Sequence, residues 1–246
     1  MTAFRIASIF KRGITSDRFP GNKLRFGEVR SGFRDQAKRR ASERAGVGID
    51  GTAFSVCALT VHTLIDRGFV TCIIVDFEAT CCNEGQVARD EMEIIEIGAV
   101  ALYGDGPSTY GQFQAFVKPV RHAQLTAFCK QLTNISQQKV DSADSFGAVM
   151  GRFSTWIDSF DNPIFCSWGD YDKHQLRQDC GYHEIRYPFS EDHINIKKRF
   201  ADNLSMRKPC GLEQALAKVG LEFEGQPHRG IDDARNMANL SPYLFF

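Results

Sequence analysis

Cys72-Ile73-Ile74-Val75-Asp76-Phe77-Glu78-Ala79-Thr80 is the stretch whose reading decides the fold. The β-branched and apolar run through Val75 predicts a buried strand, which delivers two carboxylates at its end, two residues apart. On a strand, Asp76 and Glu78 share one face, while Phe77 between them points to the other face and into the core. Two neighbouring acids repel each other, so something positive is expected between them, and a divalent metal is the economical candidate. An isolated pair of this kind also fits a strand end whose acids point into water, so the rest of the chain has to decide.

Working outward, Glu93-Ile94-Ile95-Glu96-Ile97-Gly98-Ala99-Val100-Ala101-Leu102 predicts a second strand, ended by a turn at Gly104-Asp105-Gly106-Pro107. A third strand follows at residues 111–117. Connections this short leave no room for crossover helices, so the three strands form an antiparallel meander. The texture then changes. Helical spacing appears at 125–131 and at 144–160, the latter behind an Asp144 or Ser145 cap. A short buried strand at 163–168 leads through Gly169-Asp170-Tyr171-Asp172 into a helix around 173–179, and further helices are expected at 196–204, 211–219 and 231–244. Three strands first, then strand and helix in alternation, give an α/β fold with a mixed sheet covered by helices.

The chain has 246 residues and no net charge, but its halves differ. Through residue 70 there are 13 Lys and Arg against 6 Asp and Glu, so the front is basic and the remainder acidic. Residues 1–69 predict a basic, poorly ordered N-terminal extension, with organelle targeting or non-specific binding of RNA phosphates as further readings. An apolar stretch at 53–65 fits either a strand or a helix. The eight cysteines have no C-x-x-C pair, and reduced, buried thiols in a cytoplasmic setting are expected. Cys180 and His183 read as a helix end, not a ligand pair. No apolar run reaches the roughly 20 residues of a membrane helix, and no secretory leader or membrane partner is expected.

Acids recur where strands end and helices begin: Asp76 and Glu78 after the first strand, Asp172 at the helix after the fourth, and Asp233 at the last helix, with His228 five residues ahead of it. Each taken singly fits a helix-capping acid or an ordinary loop histidine. Together they resemble the DEDDh branch of the DnaQ-like 3′-to-5′ exonucleases, whose fold is ribonuclease-H-like. The similarity is closest to the subgroup of KapD and of the histone-mRNA and small-RNA trimming exonucleases. It is carried by Asp76-Phe77-Glu78-Ala79-Thr80-Cys81, by the strand from Glu93 to Val100, by Phe128-Cys129 with Leu132-Thr133 and Ile135, by Gly211-Leu212-Glu213, and by His228-Arg229-Gly230-Ile231-Asp232-Asp233. The family pattern selects Asp172 over Asp170 and Asp233 over Asp232.

This resemblance implies a five-stranded mixed sheet over residues 70–246 and a metal-dependent enzyme that removes nucleoside 5′-monophosphates from the 3′ end of single-stranded RNA. A DNA-directed enzyme, or a nucleic-acid-binding protein with little turnover, is the alternative. Asp76, Glu78, Asp172 and Asp233 would hold two Mg²⁺ or Mn²⁺ ions, since all-oxygen ligands favour hard cations. His228 would be the general base, because its ordinary pKa near ~6.5 suits proton transfer at neutral pH. The family also implies that Glu78, Ala79, Thr80, Leu132 and Thr133 grip the terminal nucleotide, and that a loop containing Gly230 lets His228 swing inward. Arg229 is expected on a phosphate, and Lys197-Lys198-Arg199 either guides the strand or forms a solvated helix face.

Overall fold

The run around Ile73 becomes β1 (Thr71–Ala79), which lies inside the sheet, between an antiparallel partner, β2 (Ile94–Tyr103), and a parallel one, β5 (Pro163–Ser167). The computed structural model describes residues 70–103 and 109–245. The expectations for 1–69, for the apolar stretch at 53–65 and for the turn at 104–107 lie outside the described residues. β2 pairs antiparallel with β3 (Thr109–Lys118), which completes the meander. Two short parallel strands extend the edges: β4 (Asp144–Ser145) beside β3 and β6 (His193–Asn195) beside β5. The order is β4-β3-β2-β1-β5-β6, six strands where five were expected. Segments of two and three residues are too short for alternation to register in sequence, which is why the count differs.

The helices follow the expected order with shifted ends. Thr126 caps α1 (Ala127–Thr133) by accepting the Cys129 N–H, so that helix starts later than its apolar spacing implied. The five-residue α2 (Gln137–Asp141) is additional. Ser145 accepts the Ala148 N–H and caps α3 (Phe146–Ile157). α4 (Tyr171–Tyr182) ends at His183, which stacks on Phe146, in keeping with a helix end at Cys180 and His183. α5 (Ile196–Asn203) and α6 (Leu212–Lys218) follow. The last expected helix is two, α7 (Gly230–Asn239) and α8 (Ser241–Leu244), because Pro242 cannot continue a helical ladder.

Alternation along β1 divides the core. Cys72 and Ile74 pack with Phe200 of α5, Leu216 of α6 and Ile231, Ala234 and Met237 of α7. Ile73, Val75 and Phe77 face α3 and α4, packing with Val149, Met150, Phe153 and Leu176. Phe77 is therefore core, 6.4 Å from Phe165 ring to ring, as alternation required. Burial of these side chains stabilises the sheet by about 1.5–3 kcal/mol each. The α7 side approaches more closely than any side chain permits. A Cβ on Gly98 would lie 2.0 Å from the Gly230 carbonyl carbon, and one on Gly230 would lie 2.8 Å from the Asp76 carbonyl oxygen. Glycine at both positions lets the start of α7 rest on β1 and β2 where Asp76 and Gly98 are register partners.

Candidate active site

β1 presents Asp76 and Glu78 on the face covered by α7, and the close seating of Gly230 brings the first turn of α7 down beside them. Carboxylate oxygens of Asp76, Glu78 and Asp233 lie within 4.8 Å of one another. Asp172 arrives from the other side of the sheet, at the first turn of α4, where its Oδ1 accepts the Phe77 N–H at 3.1 Å. The residue between the metal-type acids thus contributes its ring to the core and its backbone to the site.

Burial raises all four acids, and the charges of the others add to it at Asp76 and Glu78. Burial, then the charges of Asp172, Asp233, Glu78 and Glu96, push the Asp76 carboxyl well above its ordinary range. Burial, followed by Asp233 and Glu96, raises Glu78 to about 9. Asp172 is raised to about 7 by burial, against the opposing pull of the Phe77 N–H. Asp233 also stands at about 7, raised by burial and lowered by the N–H groups of Arg229 and His228. Among the described residues no lysine or arginine is paired with any of the four. Crowded, buried carboxylates without a cationic partner, offering only oxygen, fit a hard divalent cation. Among the described residues, Asp76, Glu78 and Asp233 are the one group of acids, histidines or cysteines clustered for a metal.

His228 is exposed in the turn before α7, with φ at +61°, a left-handed conformation uncommon outside glycine. The Arg229 N–H reaches Asp233 Oδ2 at 3.0 Å, so the acid fixes the backbone that carries the histidine. Gly230 is not the expected hinge: it is buried and clamped between β1 and β2. The unusual backbone is at His228 itself.

Arg229 also differs from expectation. Its Nε and Nη2 meet Glu96 Oε2 and Oε1 at 2.9 and 3.2 Å, a two-point ion pair with a fully buried acid, and the Gly230 N–H adds a third contact. Glu96 is the register partner of Glu78 across β1 and β2. Arg229 therefore neutralises the neighbour of a site acid and anchors the His228 turn to the sheet, which takes its guanidinium away from a phosphate. The sequence carried a signal for Glu96, a charge inside an apolar strand, but none for its partner 133 positions away.

The threonines expected to grip a nucleotide have their hydroxyls engaged within the protein. Thr80 Oγ1 accepts the Glu93 N–H, and Thr133 Oγ1 donates to the Cys129 carbonyl. Ala79 is buried, its carbonyl accepting from the Cys129 thiol, and Leu132 is half-buried. Lys198 is exposed on α5, while Arg199 turns back to the Leu244 carbonyl.

Residues 73–241 match the family described as Exonuclease. The chain belongs to that family. The 3′-5′ exoribonuclease 1 of Rattus norvegicus is 34% identical over 185 residues, covering 72% of this chain and 53% of the rat protein. ERI1 exoribonuclease 2 of Homo sapiens is 32% identical over 191 residues, 69% of this chain and 27% of the human one. The chain thus spans about half or less of the length of these curated relatives. Among solved structures, the nuclease domain of 3′hExo, a DEDDh family member bound to rAMP, superposes with a TM-score of 0.64 at 30% identity. That match covers 72% of this chain and 92% of the domain. The α/β fold is accordingly the ribonuclease-H-like one of DEDDh exonucleases.

Proposed function

We propose that the chain is a 3′-to-5′ exoribonuclease that hydrolyses the terminal phosphodiester of single-stranded RNA and releases nucleoside 5′-monophosphates. The observation that carries the reading is the convergence of Asp76, Glu78 and Asp233 within 4.8 Å, with Asp172 seated on the Phe77 N–H beside them. A family whose named relatives are exoribonucleases supports RNA over DNA.

The four carboxylates would hold two divalent ions, Mg²⁺ or Mn²⁺, as ligands. Bound there, such ions supply charge neutralisation for the phosphate and lower the pKa of a water. The chain's own groups do the rest. His228, exposed at the rim, takes the proton from the attacking water on an imidazole nitrogen. Asp233 holds the backbone on either side of that histidine, and the Arg229–Glu96 pair anchors the turn, so the base is delivered from a fixed frame. Ala79, Thr80, Leu132 and Thr133 give the terminal nucleotide a wall of apolar surface and backbone, since both threonine hydroxyls are committed inward.

The test compares RNA labelled at the 3′ end with RNA labelled at the 5′ end, with Mg²⁺ and with EDTA. Early release of labelled mononucleotide from the 3′ end, shortening ladders from the 5′-labelled strand and silence in EDTA are expected. Internal fragments from both labels, or hydrolysis that survives chelation, would overturn the reading. Matched DNA oligonucleotides in the same assay are expected to be cleaved more slowly.

A further inference from the structure

A polyanion entering a site lined by four carboxylates needs a cation at the wall, and Arg229 is committed to Glu96. Arg121 is committed as well: its guanidinium donates to the carbonyls of Asp90 and Met92 and pairs with Asp179. Arg89 is different. It begins a single 3₁₀ turn, Arg89–Glu91, in the connection between β1 and β2. Its guanidinium lies over the ring of Tyr171, 4.4 Å from the centroid, and Tyr171 is the exposed residue directly before Asp172. Nη1 donates to Gln175 Oε1 at 2.7 Å and touches the Met92 sulfur. Among the described residues, Nε and Nη2 have no acceptor and no carboxylate pairs with the group. The guanidinium is thus held by stacking and a hydrogen bond, while Arg89 is exposed and rests on the residue that precedes Asp172.

Resting on the function proposed above, we infer that Arg89 is a specificity-determining residue that binds the substrate phosphate on the 5′ side of the scissile linkage. A planar guanidinium with two free donors matches phosphate oxygens in a forked contact. Stacking on Tyr171 orders the side chain before substrate arrives, so little rotamer freedom is lost on binding. The residue thereby favours a chain over a single nucleotide ester, which has no such phosphate.

The test uses the full chain and two substrates: a short 5′-labelled oligoribonucleotide and the p-nitrophenyl ester of a nucleoside 5′-monophosphate. Arg89→Ala is expected to raise KM for the oligonucleotide by roughly tenfold, with kcat nearly kept and the ester unaffected; Arg89→Lys recovers part of the loss. The dependence of log KM on log salt becomes shallower by about 0.7, the value for one phosphate contact on a single strand. Equal losses on both substrates accompanied by a lower melting temperature would mean that Arg89 only braces the Tyr171 junction, and unchanged oligonucleotide KM would also overturn the assignment. Binding of a fluorescent oligonucleotide in Ca²⁺, read by anisotropy, separates this from the function itself. If wild type hydrolyses neither substrate, the exonuclease reading fails, while tighter binding by wild type than by Arg89→Ala still decides the contact.

Discussion

Glu78 and Glu93 are buried carboxylates at adjoining strand ends, yet they live under opposite conditions. Glu93 accepts the N–H groups of Val120, Arg121 and His122, each at 2.8 Å, and the Arg121 guanidinium stands 3.9 Å away. Glu96 takes both ends of Arg229 together with the Gln114 amide, and Asp179 takes the Ile94 N–H and a contact from Arg121. For Asp76 and Glu78 the described residues supply no hydrogen-bond donor. One set of acids is saturated and holds loops to the sheet. The other is crowded with like charge and left for a ligand to satisfy. Burial alone does not separate the two sets; a cationic partner does, present for Glu93, Glu96 and Asp179 and absent among the described residues for Asp76, Glu78, Asp172 and Asp233.

The comparison breaks most visibly at Asp172. Asp172→Asn is expected to lower kcat on labelled RNA by on the order of a thousandfold, while the fold keeps or gains stability because a crowded buried charge is removed. A urea melt alongside the rate measurement checks both halves. Retention of full rate would remove Asp172 from the reacting set. His228→Ala belongs to the same comparison: a loss of about 10²–10⁴ in kcat is expected, with Mg²⁺ affinity by calorimetry unchanged. A matching loss of metal affinity would make it a ligand instead of a base.

The saturated set predicts the reverse pattern. Glu93→Ala strands three backbone donors and Arg121, and is expected to cost about 3 kcal/mol of stability, read as a lower urea midpoint. At a temperature where the variant is folded, its kcat should stay within a few-fold of wild type. A variant as inactive as Asp172→Asn, yet equally stable, would place Glu93 among the reacting groups and dissolve the distinction between the two sets.

Sequence exposed the two sets unequally. The meander and the inward turn of Phe77 were legible because each depends on a local period, whereas Asp76, Glu78, Asp172, His228 and Asp233 stood out as a set only through the resemblance to a family. What pairs with what was not legible. Arg229 looked like a phosphate ligand because an arginine next to a catalytic-type histidine is locally indistinguishable from one; its assignment depends on Glu96, on another element. Gly230 reads as a hinge because sequence does not reveal the 2.8 Å approach that makes glycine obligatory there. β4 and β6 exist only through neighbours that offer them an edge.

The smallest effect sharpens the comparison through pH. In the chelated chain, Asp172 and Asp233 titrate at about 7 and Glu78 at about 9, whereas the unfolded chain releases those protons near pH 4 to 4.5. Between those limits the folded state binds more protons than the unfolded one, so stability falls as pH rises from about 5 to 8. His193 has the opposite sign. Burial, then the charge of Lys173, lowers it to about 4 against the opposing pull of Asp170, so the unfolded state binds its proton first and stability falls as pH drops below about 6.5. Mg²⁺ should raise the melting temperature by a few degrees at saturating excess. The shift should be larger at pH 8 than at pH 6, because at the lower pH the ion must displace protons from the same oxygens. Glu93→Gln leaves these ligands in place and should preserve that pH-dependent increment, while Asp172→Asn should shrink it. An equal Mg²⁺ shift at both pH values would mean that the ion binds elsewhere, and that the crowded acids are balanced by something other than a metal.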